Sequence, residues 1–203
     1  MADDPGAWEA CGFRVREGSC EIGSVRVRLD PSAAGRGIVG WSVRGLRDGD
    51  LDGLPSSRSE RAPARGTQHP NGAVSIDHVV AFTPDLERTR AALEAAGLDF
   101  RRLREGPTPG GSRRQAFFRM GEVVLEVVEA PEGTHIREDP GGPARLWGIA
   151  LLVEDLECPA ELLGDRLGPA RPAVQPGRRI APLRTRAGLG PAIAFITPGP
   201  GAA

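Results

Sequence analysis

The chain has 203 residues, 39% of them hydrophobic and 26% charged, with a formal net charge of −1. That length and composition suit one folded domain or two small ones packed together. The near-neutral charge excludes a general pull towards nucleic acid or an anionic membrane, and no run of about 18 apolar residues is present to span a bilayer.

All 26 cationic side chains are arginine, so an Arg-Arg pair is weak grounds for a site here. The opening MADDPGAWEA is acidic and lacks the apolar stretch of a secretory signal. Cys11, Cys20 and Cys158 have no metal-type spacing. Together these features predict reduced thiols and a cytoplasmic location.

Residues 1–52 read as an N-terminal β segment. FRVREG, SVRVRL and GIVGWSVRGL alternate apolar and polar residues, with Phe13, Val15, Val25, Val27, Leu29, Ile38, Val39, Trp41 and Val43 on the apolar side. This predicts three strands within residues 12–46. Three strands alone bury one face at best, so the segment is expected to pack on the rest of the chain or on a second copy. Residues 53–74, rich in Pro, Ser, Gly and charge, read as a linker or wrapped loop.

From residue 75 the pattern becomes strand, helix, three strands. SIDHVVAF is the first strand, with Ile76, His78, Val80 and Phe82 on one face. TPDLERTRAALEAAGL is a helix, with Thr83 placed to cap it, Pro84 in the first turn and Gly97 as its stop. FRRLREG, RRQAFFRMG and VVLEVVEA are strands. The order then repeats: LWGIALLVEDL, the short helix ECPAELLGDRLG, then RRIAPLRT and PAIAFITP. Asp85-Leu86 recurs as Asp155-Leu156, and Arg113-Arg114-x-Ala116-x-x-Arg119 recurs as Arg178-Arg179-x-Ala181-x-x-Arg184. The expected fold is therefore α+β: tandem βαβββ modules over residues 75–131 and 145–198.

Tandem modules, with DHVVAFTPDLERT opening one and VVLEVVEAP closing it, resemble the vicinal oxygen chelate superfamily, the glyoxalase, bleomycin-resistance and extradiol-dioxygenase group, whose paired modules form a curved sheet cleft. The resemblance covers residues 75–198. It implies a small-molecule enzyme of the lyase, isomerase or dioxygenase kind, with a divalent ion (Mn, Fe, Ni or Zn) held in the cleft from the first and fourth strands. Matched to this sequence, those ligands fall on His78 and Glu126, and Glu126 is also the candidate catalytic base. The second module departs from the pattern. Gly148 stands at the position equivalent to His78, and the closing strand Ala192-Ile193-Ala194-Phe195 has no carboxylate, so the ion's ligand set is incomplete.

Other readings follow from the same residues. His78 and Glu126 can be an internal pair, because a carboxylate on an apolar strand needs a partner. His69 and His135 are candidates for a third ligand. Arg114 and Arg179, equivalent in the two modules, are candidates to bind a ligand's carboxylate or phosphate, and Trp147 to wall an apolar pocket. A metal-free protein that binds a small molecule, like the antibiotic-sequestering members, accounts for Gly148 directly. A third alternative has the N-terminal strands filling the cleft or forming a dimer interface, leaving an interaction module. The expected partner is a small-molecule ligand, with no nucleic acid and no membrane, in a monomer or homodimer.

Overall fold

A computed structural model of the chain describes residues 1–47, 49–108 and 111–200. In chain order its elements are helix α1 (Pro5–Ala10), strands β1 (Val15–Arg16), β2 (Ser19–Ile22), β3 (Val25–Arg28), β4 (Trp41–Val43), β5 (Ser56–Arg58) and β6 (Ala73–Thr83), helix α2 (Leu86–Ala95), strands β7 (Asp99–Thr108), β8 (Gly111–Met120), β9 (Val123–Glu129) and β10 (Arg145–Val153), helix α3 (Glu157–Leu163), and strands β11 (Arg171–Pro172), β12 (Arg179–Pro182) and β13 (Ala192–Ile196). They fall into two compact units. Unit A holds residues 1–39, 62–77 and 148 onward; unit B holds residues 40–61 and 78–147. No described helix is long and apolar enough to cross a membrane.

Unit B contains the βαβββ order β6-α2-β7-β8-β9. Its strands lie in the spatial order β6-β9-β8-β7, with β6 parallel to β9 and the other pairs antiparallel. Asp85, not Thr83, is the N-cap of α2: its side chain accepts the Arg88 N–H, while the Thr83 hydroxyl accepts the Asp85 N–H one step earlier. At the other end Gly97 takes a φ of 91°, a left-handed geometry that glycine adopts without Cβ strain.

The apolar stripe of α2, Leu86, Leu93 and Ala96, packs with Ala81, Ala116, Phe118, Leu125 and Val127 of the sheet. Leu46, Leu51 and Leu54 join the same core, so the 40–61 segment is part of this unit's packing. Here the structure corrects the sequence reading. Trp41–Val43 does not complete a sheet with the strands upstream; it pairs in parallel with Ser56–Arg58.

Unit A contains the second βαβββ order, β10-α3-β11-β12-β13, in the spatial order β11-β12-β13-β10. The three-stranded sheet of its N-terminal segment is β1-β2-β3, which includes the unexpected strand Ser19–Ile22. The unexpected helix α1 follows an Asp4 cap and has a proline in its first turn. Trp8 is fully buried. Its indole donates to Asp3 at 2.9 Å, and Asp3 in turn accepts the Gly190 N–H at 3.0 Å. Cys11, Cys20 and Cys158 are free thiols, and burial pushes the Cys20 pKa up to about 12.

His69 is locked in the same unit. Its Nδ1 accepts the Arg14 N–H at 3.0 Å, so Nε2 carries the proton and donates to the Glu21 carbonyl at 3.0 Å. Burial lowers its pKa, outweighing the raising effect of that carbonyl bond. The unfolded chain takes up a proton near pH 6.5 that the folded ring resists, so stability present above that pH is lost as the pH falls through it. Melts at about pH 7.5 and about pH 5.5 are expected to show a larger drop for the wild type than for His69→Gln. Equal drops would remove His69 as the cause.

Candidate functional site

The unit B sheet has one face covered by α2 and its core. Strand alternation puts the other set of side chains on the far face. The pairing registers arrange them in rows across the strands. Asp99, Arg119, Val124 and His78 form one row. Arg102, Phe117, Glu126 and Val80 form the next, and Arg104, Gln115, Val128 and Phe82 the third. A bulge between Phe100 and Arg102 brings Arg102 and Arg104 into these rows.

Glu126 lies at the centre of this face and has diagonal neighbours on both sides. On the β6 side, His78 Nε2 is 3.6 Å from Glu126 Oε2, with the two side chains only 19% and 16% exposed. On the β8 side, Gln115 Nε2 donates to Glu126 Oε1. The amide orientation is fixed by chemistry, because an ionised carboxylate can only accept. Gln115 is itself buried, and its Oε1 has no hydrogen-bond partner among the described residues. Burying an acceptor without a donor costs about 1–3 kcal/mol. Val80, Val124, Val128 and Phe117 supply the apolar surroundings of the trio.

Aromatic side chains border it. Phe82 meets Trp147 edge to face at 5.1 Å, and Trp147 remains 51% exposed. The Arg102 guanidinium lies over the Phe117 ring at 4.8 Å.

Residues 75–164 match the model of the glyoxalase/bleomycin resistance protein/dioxygenase superfamily. Over those residues the chain is similar to that superfamily. Solved structures agree at the level of fold. Methylmalonyl-CoA epimerase from Mycobacterium tuberculosis is similar over 64% of this chain and 91% of its own, with 19% identity and a TM-score of 0.52. A hypothetical protein from Bacillus halodurans matches over 64% and 97%, with 19% identity and a TM-score of 0.51. A variant of methylmalonyl-CoA epimerase from Streptomyces coelicolor, in complex with 2-nitronate-propionyl-CoA, matches over 64% and 96%, with 20% identity and a TM-score of 0.51. No curated protein matches the chain.

The unit B sheet brings His78 and Glu126 together but, among the described residues, adds no third donor of the usual kind. Among the described residues, no three His, Cys, Asp or Glu side chains gather to hold a metal. His135 is exposed in unit B, and both nitrogens of His69 are engaged in unit A. Gly148 pairs with Ala192, and a Cβ on it would collide with the Ala192 carbonyl oxygen. Close approach of β10 and β13 therefore requires glycine where the resemblance expects a ligand. Two donors fall short of the three protein ligands usual in catalytic zinc sites, so the residues present do not fit a resident catalytic ion.

Arg114 lies on the α2 side of the sheet, in ion pairs with Glu105 at 2.9 Å and with Glu87. Glu105 and then Glu87 hold its pKa up. Arg179 is exposed in unit A, while the neighbouring Arg178 is tied to Asp77 at 2.6 Å and to the Thr197 carbonyl. Sequence reasoning missed Gln115, Arg102 and Arg104. Counting alternate residues outward from Ala116 and Phe118, the obvious apolar pair of β8, would have put Gln115 and Phe117 on the Glu126 face.

Proposed function

We propose that the domain is a small-molecule enzyme that moves a proton at a carbon next to a carbonyl, with Glu126 as the base. The observation that carries this reading is the asymmetric environment of Glu126. Gln115 fixes one carboxylate oxygen, and the other faces His78 at 3.6 Å, beyond a direct hydrogen bond. In the proposed step Glu126 Oε2 takes the proton from the ligand carbon as the electron pair moves onto the carbonyl oxygen. Return of the proton to either side of that carbon gives isomerisation. Gln115 holds the carboxylate in place, His78 lies beside the reacting oxygen, and the valines around it limit water. A positioned base of this kind contributes about 10²–10⁴-fold to rate. Any divalent ion at His78 and Glu126 would have, among the described His, Cys, Asp and Glu residues, these two side chains to hold it and is expected to bind weakly.

A second reading, a small-molecule binding protein without chemistry, is favoured by Gly148 and the incomplete donor set. Deuterium wash-in followed by NMR separates the two. The chain is incubated in D2O with methylmalonyl-CoA, the compound in the epimerases' name, and with a series of acyl thioesters and 2-hydroxy acids. Exchange at the carbon next to the carbonyl is the expected result. Binding without exchange would favour the binding protein, and neither binding nor exchange across the series would contradict both.

A further inference from the structure

Several arginines of unit B are held in ion pairs. Around α2 and the loops, Arg88 pairs with Asp52, Arg90 with Glu87, Arg114 with Glu87 and Glu105, and Arg137 with Glu129. On the far face Arg102 and Arg104 stand two residues apart on one strand, and neither makes an ion pair among the described residues. Two residues along a strand are about 7 Å, close enough for both guanidiniums to close on one carboxylate or phosphate. Like charges so placed repel unless an anion joins them. Arg102 is already oriented by its contact with Phe117.

These two rows lead across the sheet to the trio. Arg102 is two strands from Glu126, and Arg104 is one strand from Gln115. At about 4.8 Å per strand that span suits a small metabolite. Between its ends lies Gln115 Oε1, a buried acceptor with no donor among the described residues. The half-exposed Trp147, against Phe82, offers an apolar surface on the same face.

Building on the proton-transfer reading, we infer that the ligand is a small organic acid with an apolar body: its anionic group binds Arg102 and Arg104, and an adjacent O–H or N–H donates to Gln115 Oε1. A carboxylate and a phosphate share this recognition chemistry; the carboxylate is tested directly, and phenyl phosphate in the same titration identifies the better anion.

The test is calorimetric titration of the full chain with mandelate, which has a carboxylate, an adjacent hydroxyl and a phenyl ring. Mandelamide lacks the charge and phenylacetate lacks the hydroxyl. Mandelate is expected to bind, and both analogues to bind about tenfold more weakly. Arg102→Gln and Arg104→Gln are each expected to weaken mandelate about tenfold while leaving mandelamide unchanged, with Arg104→Lys recovering part of the loss. Melting curves of each variant check folding. Mandelate binding that is equal in wild type and both glutamine variants overturns the inference, as does no binding of mandelate or phenyl phosphate at about 10 mM. The two readings fail separately. Arginine-dependent binding without proton exchange retires the catalytic role of Glu126 and keeps the acid site. Exchange that ignores both arginines does the reverse.

Discussion

A chain starting at Gly72 is expected to lose the cooperative fold of unit A. The deleted stretch supplies Trp8, Phe13, Cys20, Ile22 and Leu29, all nearly or fully buried. Each large apolar side chain contributes about 1.5–3 kcal/mol on burial, so four of them match much of the roughly 5–15 kcal/mol by which a domain is stable. Polar ties go with them: Asn71 donates to the Cys11 carbonyl, Asp3 accepts from Trp8 and Gly190, and Arg166 donates to the Ala10 carbonyl. Unit B also loses Leu46, Leu51 and Leu54 from its core. The shortened chain should be insoluble or melt without a sharp transition. A melting temperature equal to that of the full chain would show that the N-terminal segment contributes nothing to the fold.

Glu126→Gln is expected to lower turnover of any acid that exchanges its proton by about 10²–10⁴-fold, with melting little changed. The amide has the same shape and still accepts from Gln115 through its oxygen. What it loses is the basic oxygen beside His78. Glu126→Leu differs: it leaves the buried Gln115 amide without its acceptor and should cost about 1–3 kcal/mol of stability as well. Unchanged turnover in Glu126→Gln would make the His78–Glu126 pair purely structural, the role an internal pair on an apolar strand would have.

Much of the glyoxalase-type order was legible because its elements are long enough to show a period. β6, α2 and β7 to β9 each run for seven residues or more, and the switch from alternation to a helical stripe marks the boundaries. The N-terminal segment was harder. Ser19–Ile22 is four residues between turns, and one of its two buried positions is a cysteine rather than a β-branched residue. Trp41–Val43 has a strand-like pattern, but its partner Ser56–Arg58 has no apolar residue to mark it. The pairing depends on tertiary packing that no local pattern carries.

At the site, parity placed His78 and Glu126 on one face, and their registers put them diagonal to each other. Gln115 gave no signal, because a lone glutamine in a strand reads as solvated. The choice among arginines needed the register too. Arg114 shares parity with Ala116 and Phe118 and so meets Glu87, whereas the bulge in β7 decides where Arg102 and Arg104 point. Gly148 shows the converse. It reads as a lost ligand, and the packing against Ala192 supplies a physical reason for glycine there.

The central claim, that the far face of unit B is where a small molecule binds, is tested most directly by the side-chain amide signal of Gln115 in a nitrogen-resolved NMR spectrum, followed as mandelate is added. Binding beside Glu126 is expected to shift that signal and the indole signal of Trp147 together. Unit A offers a competing groove of ≈ 320 Å³ lined by Arg14, His69, Glu154 and Cys158. Shifts confined to residues of that groove, with the Gln115 amide unmoved at saturation, would contradict the account.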